Sequence, residues 1–213
     1  MKLPIFLSCI LLISLCSCKK PVKMGMATQN AVVRETRFDK EPAGRPSFLF
    51  TLRKTDEEGR PAQIEIQIKN ERQITQTITY VPNYWRLEKG PFQVSQVDYF
   101  IKSTEINEGI EHYHDFIVGD FNFDGREDFA ILYDLGGNAG PFYSYYFQNE
   151  AGMFNVDKTF PLNAGYFPAE IDSKNKTLTT MKPSGCCTIR TIVYKLADVS
   201  RWDILSDEEK DMD

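Results

Sequence analysis

The most informative stretch of this chain is Asp120-Phe121-Asn122-Phe123-Asp124-Gly125-Arg126-Glu127-Asp128. It places oxygen-bearing side chains at positions 1, 3, 5 and 9 of a loop, with a glycine at position 6. Such a spacing suits Ca²⁺, which takes about 6–8 oxygen ligands at about 2.3–2.6 Å. The predicted ligands are the side chains of Asp120, Asn122, Asp124 and Asp128 and the main-chain carbonyl of Arg126.

The loop begins like an EF-hand loop but does not continue as one. An EF-hand needs a glutamate at position 12, and position 12 here is Ile131. Residues 129–133 have the pattern of a β-strand rather than of an exiting helix, so the loop is predicted to join two strands. The alternative is an Asx-rich turn that holds no metal, because Asp, Asn and Gly are common turn residues.

The rest of the chain predicts an all-β fold. Residues 63–69 alternate strictly, which puts Ile64, Ile66 and Ile68 on one face of a strand. Many short strands separated by turns predict a small β-propeller-like domain of antiparallel hairpins, with a β-sandwich as the alternative. One helix signal stands out, the capping-box pattern of residues 206–209. The other predicted strands are 48–52, 74–80, 92–101, 115–118, 129–134, 143–148, 153–158, 177–181 and 188–196.

The N-terminus has the features of an export signal. Lys2 precedes an apolar core at residues 5–13, which is shorter than the roughly 20 residues of a membrane-spanning helix. The following Leu-Cys-Ser-Cys looks like a bacterial lipobox and implies lipidation of Cys18. The alternative is an ordinary cleaved signal peptide that leaves a soluble secreted protein. The predicted organisation is a signal peptide at 1–17, a lipidated tether at 18–45, a β domain at 46–200 and an acidic tail at 201–213.

Location and charge restrict the classes of partner. Lys19 rather than an aspartate follows the lipidated cysteine, which by analogy with lipoprotein sorting predicts the outer membrane, facing the periplasm. Loss of residues 1–17 removes one lysine and no acidic residue, which takes the formal net charge from −5 to −6. An acidic chain argues against nucleic acid and complements a cationic protein. Membrane contact is predicted through the lipid anchor alone.

Two residue pairs suggest further chemistry. Cys186 and Cys187 are adjacent, and in an oxidising periplasm they are predicted to form a disulfide that stiffens the turn before them. Redox activity, metal ligation and bridging to another chain are the alternatives, although the Cys-x-x-Cys spacing of redox pairs is absent. His112 and His114 share one face of a strand, but the chain has no third histidine, which favours exposed or hydrogen-bonded histidines over a metal pair.

An aromatic strand follows the loop at residues 142–147. Tyr143 and Tyr145 lie on one face and Tyr146 on the other. One face is predicted to join the core, and the other is a candidate to present tyrosines to a protein or glycan, because tyrosine offers both apolar area and a hydroxyl. The alternative, burial of both faces in a sandwich or propeller blade, is the favoured interpretation.

Residues 119–172 resemble an FG-GAP repeat, the calcium-loop blade of integrin-type propellers. The matching features are Gly-Asp-Phe-Asn at 119–122, Asp-Gly at 124–125, Asp-Phe-Ala-Ile at 128–131, the glycine-rich run 135–140 and Gly-Met-Phe at 152–154. The resemblance implies the five calcium ligands named above. This chain has Phe123 where the repeats often have glycine, and it contains one copy of the loop.

The lipobox, the aromatic strand and the Ser-Gly-Cys-Cys turn resemble a narrower group of single-domain bacterial envelope proteins. Some of these are immunity proteins that inhibit lysozyme-like enzymes. The resemblance implies a calcium-stabilised periplasmic lipoprotein that blocks a peptidoglycan-cleaving effector. Predicted partner contacts are Arg126, Glu127, Tyr143, Tyr145 and Tyr146.

No enzymatic activity is predicted. The sequence contains no Gly-x-Ser-x-Gly elbow, no His-Glu-x-x-His and no glycine-rich phosphate loop. The alternatives to an inhibitor are a structural or glycan-binding envelope lipoprotein, and a hydrolase whose carboxylate pair the sequence does not single out.

Overall fold

The computed structural model describes residues 45–70, 73–85, 91–102, 114–137 and 140–212. The predicted signal peptide, the lipidation site Cys18, the tether as far as residue 44 and His112 lie outside these ranges. The described residues form β1 (Ser47–Thr55), β2 (Pro61–Asn70), β3 (Gln73–Tyr80), β4 (Gln96–Asp98), α1 (Tyr99–Lys102), β5 (Phe116–Gly119), β6 (Asp128–Asp134), β7 (Phe142–Gln148), β8 (Phe154–Asn155), β9 (Gly165–Tyr166), β10 (Glu170–Asp172), β11 (Thr177–Ser184), β12 (Thr188–Asp198) and β13 (Arg201–Asp211).

The strands form three sheets, which confirms the all-β prediction. The N-terminal sheet has the order β1-β2-β3, the central sheet β4-β5-β6-β7-β8 with β9 beside β7, and the C-terminal sheet β10-β11-β12-β13. All strand pairs are antiparallel except β4 with β5. No helix within the described residues has the length and apolar character that a membrane span requires.

Aromatic rings join the N-terminal sheet to the central sheet. The three isoleucines of β2 are buried on one face, as the alternation predicted. Phe48 of β1 contacts Phe116 of β5 with ring centroids 4.8 Å apart, and Phe129 of β6 at 5.5 Å. Burial of each large apolar side chain contributes about 1.5–3 kcal/mol, so this seam is a main source of stability.

At the outer edge of the central sheet, the side-chain amide of Gln76 bonds the main chain of β8. Gln76 of β3 donates from Nε2 to the carbonyl of Phe154 and accepts from the amide of Phe154 through Oε1, both at 2.8 Å. The strand predicted over 153–158 is only two residues long, and Gln76 satisfies the main-chain polar groups of its first residue. The strand predicted over 92–101 is likewise reduced to β4, which pairs with β5 over three residues before α1 begins.

The predicted C-terminal helix is wrong, since residues 206–209 belong to β13. Thr191 of β12 pairs with Glu208, and Arg190 Nε donates to Asp207 Oδ1 at 2.6 Å. Ser184 donates through Oγ to Glu209 at 2.8 Å. A capping box is a local signal, and pairing with an eleven-residue neighbouring strand overrides it.

A buried ion pair fixes the start of the domain. The Arg45 side chain donates to Asp98 at 2.9 Å and also pairs with Glu127, the residue before β6. Both carboxylates are buried, and the arginine side chain is 14% exposed. Arg45 thus joins the end of the predicted tether to the far end of the candidate metal loop.

We expect Arg45→Ala to destabilise the fold by about 3–5 kcal/mol, because it removes the cation between two buried carboxylates. Urea denaturation followed by tryptophan fluorescence measures the change. Arg53→Ala is the matched control: its partner Glu65 lies on β2 in an exposed pair, and a much smaller loss is expected. Equal losses in the two variants would contradict the role of Arg45.

Candidate metal loop and the groove beside it

The candidate loop is closed at its base by the sheet. It connects β5 to β6, whose last and first residues, Gly119 and Asp128, are paired across the ladder. Gly125 has a φ of 81°, in the left-handed region where a side chain is strained. The glycine at position 6 therefore makes the sharp turn that the sequence predicted.

Main-chain amides of the loop turn inward to its carboxylates. Asp120 accepts from the amide of Asp124 at 3.1 Å and from that of Gly125 at 2.9 Å. Asn122 accepts from the amide of Asp124 at 3.1 Å, and Asp124 accepts from the amide of Arg126 at 2.8 Å. These bonds wrap the loop around the Asp120 side chain.

Asp128 is the most deeply buried acid of the loop, with no exposed surface. Its two oxygens accept from the amide of Phe121 at 3.0 Å and from the amide of Gln148, in β7, at 3.1 Å. Burial, together with the charges of Asp124 and Asp120, raises the pKa of Asp128 to about 8. Burial also raises the pKa of Asp120.

The donor chemistry of this loop fits Ca²⁺. The predicted ligands are all oxygens, and a cation would favour the ionised forms of buried Asp128 and partly buried Asp120. The guanidinium of Arg126 meets Asp124 at 2.5 Å and supplies part of that positive charge. Within the described ranges, no three acidic, histidine or cysteine side chains converge as a metal-holding group. The predicted site also uses an amide and a main-chain carbonyl, and calcium ligation stays a prediction.

Two phenylalanines of the loop pack against different parts of the protein. Phe121 is fully buried and meets Tyr145 edge-on at 5.4 Å. Phe123 has a φ of 58°, a left-handed conformation that costs a non-glycine residue about 1–2 kcal/mol. Its ring lies 6.0 Å from that of Trp202 in β13, a contact that offsets the strain and ties the loop to the C-terminal sheet.

An open groove of about 660 Å³ lies beside the loop. It is lined by parts of segments 122–126, 147–157 and 196–200, together with Lys176. Arg126 lines it with its side chain 39% exposed. Val156 and Val199 add apolar surface and are 48% and 90% exposed. Sequence reasoning missed the groove, because its segments are distant along the chain and carry no common motif.

The predicted tyrosine contacts are wrong for Tyr143 and Tyr145, which lie in the core with 1% and 0% exposure. Their hydroxyls donate to the carbonyls of His114 and Tyr166, each at 2.9 Å. Tyr146 is half-buried and stacks on Phe129 with centroids 4.7 Å apart. The alternative of burial on both faces describes this strand better.

The prediction of a partner contact at Glu127 is also wrong. This side chain is buried, pairs with Arg45, and leaves its Oε2 atom without a hydrogen-bond partner. Arg126, one residue earlier, is the predicted contact that the structure places in the groove.

Cys186 and Cys187 lie at the tip of the β11–β12 hairpin as exposed, unbonded cysteines. Their sulfur atoms are 2.8 Å apart. The disulfide between them stays a prediction, as does the histidine pair, of which only His114 is described.

Comparison with known proteins shows a structural likeness and no sequence relative. No protein-family model matches the chain, and no curated protein matches it. A solved structure described as a Xanthomonas type IV secretion system related protein is similar, with a TM-score of 0.50 and 17% identity. The match covers 84% of this chain and 76% of that chain. At this identity the likeness shows the fold alone, and the FG-GAP resemblance stays a prediction.

The raised pKa of Asp128 predicts how stability without calcium depends on pH. The folded state holds this proton more tightly than the unfolded state, whose carboxyl has a pKa near 4. The resulting stability is fully present below about pH 4 and is lost as the pH rises through about 8. We expect the melting temperature in EGTA to fall between pH 5 and 8.5, and added Ca²⁺ to restore it most at the alkaline end.

Asp128→Asn tests the assignment, since it removes the titrating group while keeping the shape. In EGTA, the melting temperature of this variant should fall clearly less between pH 5 and 8.5 than that of the wild type. Glu150→Gln, at an exposed turn beside the groove, is the matched control and should keep the wild-type slope. Parallel slopes in wild type and Asp128→Asn would show that another group titrates.

Proposed function

We propose that this protein is a calcium-stabilised periplasmic lipoprotein that binds and inhibits a peptidoglycan-cleaving, lysozyme-like enzyme as an immunity protein. The observation that carries the proposal is the groove beside the loop, where an exposed arginine lies among exposed apolar side chains. The resemblance to envelope immunity proteins supplies the class of partner. The protein acts as a binder and has no catalytic activity of its own.

The groove has the composition of a protein-binding surface. Val199 and Val156 provide exposed apolar surface, and Asp157, Asp198 and Lys176 provide charge in the same groove. Protein recognition surfaces combine apolar and polar side chains. A chain of net charge −6 after signal removal also speeds the approach of a cationic enzyme.

Arg126 is the residue that we place in the enzyme's cleft. Lysozyme-like enzymes cleave with a pair of carboxyl groups, to which a guanidinium is a complementary charge. Nε of Arg126 donates to the carbonyl of Gln148 at 2.9 Å, and the guanidinium also bonds Asp124. These bonds hold the side chain in one position, so little conformational entropy is lost when it binds.

The loop supplies the rigidity that this mode of binding needs. Ca²⁺ bound by Asp120, Asn122, Asp124, Asp128 and the Arg126 carbonyl would neutralise repulsion among the three carboxylates. Asp128 then holds the amide of Gln148, a residue that lines the groove. Loss of the cation is expected to loosen the loop and the groove together.

The proposed location is the outer membrane, facing the periplasm, with the chain anchored through lipidated Cys18. A lysozyme-like enzyme acts in this compartment, where the cell's own wall must be protected. The similar structure is described as related to a type IV secretion system, which is compatible with a partner that is a secreted effector.

A glycan-binding envelope lipoprotein is the second candidate. The groove is lined by the amide side chains of Asn122, Gln148, Asn149 and Asn155. Amides donate and accept hydrogen bonds and therefore suit sugar hydroxyls. Recovery of polysaccharide rather than an enzyme by the immobilised protein would favour this function.

The inhibitor function predicts that the purified protein stops wall hydrolysis. The measurement is turbidity clearing of peptidoglycan by the lytic enzyme encoded beside its gene and by other lysozymes. Hydrolysis should stop at equimolar protein in Ca²⁺, and EGTA should restore much of the activity. Undiminished hydrolysis by every one of these enzymes in the presence of Ca²⁺ removes the proposal.

If the enzyme binds in the groove, a charge introduced there should weaken inhibition. Val199→Asp should weaken inhibition at least tenfold, because burial of an unpaired carboxylate against the enzyme is costly. Val81→Asp is the matched control, since Val81 is 61% exposed and does not line the groove. Equal inhibition by both variants would place the contact elsewhere on the protein.

A further inference from the structure

The β11–β12 hairpin carries two thiols that the proposed function does not use. Cys186 and Cys187 occupy its three-residue turn after Gly185, whose φ is 76°. Both are exposed, and their sulfur atoms are 2.8 Å apart. Adjacent residues rarely bring two side chains together, and the left-handed glycine before them helps the turn to do so.

A third sulfur-containing residue, Met212, lies opposite this turn on the neighbouring strand. The amide of Met212 donates to the carbonyl of Cys187 at 2.7 Å, which continues the register in which Thr188 pairs with Asp211. Residues opposite each other on antiparallel strands project from the same face, with Cβ atoms about 4.5–5.5 Å apart. Met212 is 46% exposed, and the register puts it on the same face as Cys187.

We infer that Cys186, Cys187 and Met212 form a binding site for Cu(I). Thiolate and thioether sulfurs are soft ligands, and a site made of them selects Cu(I) over harder cations. Each thiol releases its proton to solvent and forms one sulfur–copper bond, and the thioether donates a lone pair for a third. The copper stays Cu(I), so the step needs no oxidant or reductant.

The ligand set distinguishes copper from other metals that thiols bind. Structural Zn²⁺ is held by four Cys, His or acidic ligands, whereas the ligands proposed here are two cysteines and a thioether. A trivalent arsenic centre bonds thiolates and makes no use of a thioether. The methionine opposite Cys187 therefore points to Cu(I).

Hydrogen bonds around the turn hold the two cysteines in place without metal. Ser184 donates through Oγ to Glu209 at 2.8 Å, which joins β11 to β13 beside the turn. Thr188 also donates through its hydroxyl to the carbonyl of Ser184 across the turn. Cu(I) binding releases the thiol protons to solvent and therefore tightens as the pH rises.

The test is anaerobic titration of the full chain with Cu(I), in competition with a chromogenic Cu(I) chelator and without added reductant. The wild type should bind one more equivalent of tight Cu(I) than the variant with Cys186→Ser and Cys187→Ser. It should also titrate two more thiols with a thiol reagent. Absence of these two thiols would mean that the disulfide occupies the turn, and would overturn the inference.

Two methionine variants test whether Met212 is a copper ligand or whether the two thiols bind copper alone. Met212→Leu should weaken Cu(I) binding about tenfold or more, and X-ray absorption should count one sulfur fewer on the copper. Met181→Leu is the matched control, since Met181 is 52% exposed on β11 but pairs with Thr191, away from the turn. Identical affinities and sulfur counts for wild type and Met212→Leu would overturn the three-sulfur site.

Discussion

The carboxylate of Asp128 is the contact on which the candidate site depends. It has no exposed surface, yet one oxygen holds the amide of Phe121 at the start of the loop and the other holds the amide of Gln148 on the neighbouring strand. A buried carboxylate is costly unless its oxygens are satisfied, and these two amides satisfy them. The same group thus closes the loop and joins it to the groove.

Strain and aromatic contact extend this arrangement to the C-terminal sheet. Phe123 adopts a left-handed backbone and meets Trp202, which in turn packs edge-on against Phe160 at 5.5 Å. On the other side of the loop, Phe121 is buried in the core. Because the groove is lined by the loop and by the turn after β12, any loosening of the loop changes the shape of the groove. In the proposed function, cation binding and partner binding are linked through this shared wall.

Local sequence patterns predicted most of the strands and the turn of the loop. The isoleucines of β2 alternate because one face is buried, and the loop turns at Gly125 because a left-handed residue is required there. Alternation assigned Tyr143 and Tyr145 to one face of β7 without saying whether that face is covered. Both are buried against rings from outside the strand, since Phe167 contacts Tyr143 and Phe160 contacts Tyr145.

Interactions between distant segments account for the remaining differences. Residues 206–209 carry a helix signal, but Arg190 and the long strand β12 draw them into β13. The amide and carbonyl of Phe154, on the outer edge of β8, both bond the side chain of Gln76, seventy-eight residues earlier in the chain. The groove likewise belongs to three segments at once, so only the folded chain shows that Arg126 faces a surface while its neighbour Glu127 is buried.

We propose that the loop closed by Asp128 holds one Ca²⁺ ion. Isothermal titration calorimetry of the chelator-treated protein with CaCl₂ measures this binding. We expect uptake of one ion per chain in the wild type and loss of that uptake in Asp128→Asn. Titrations without heat over a range of temperatures, or equal uptake in both proteins, would contradict it.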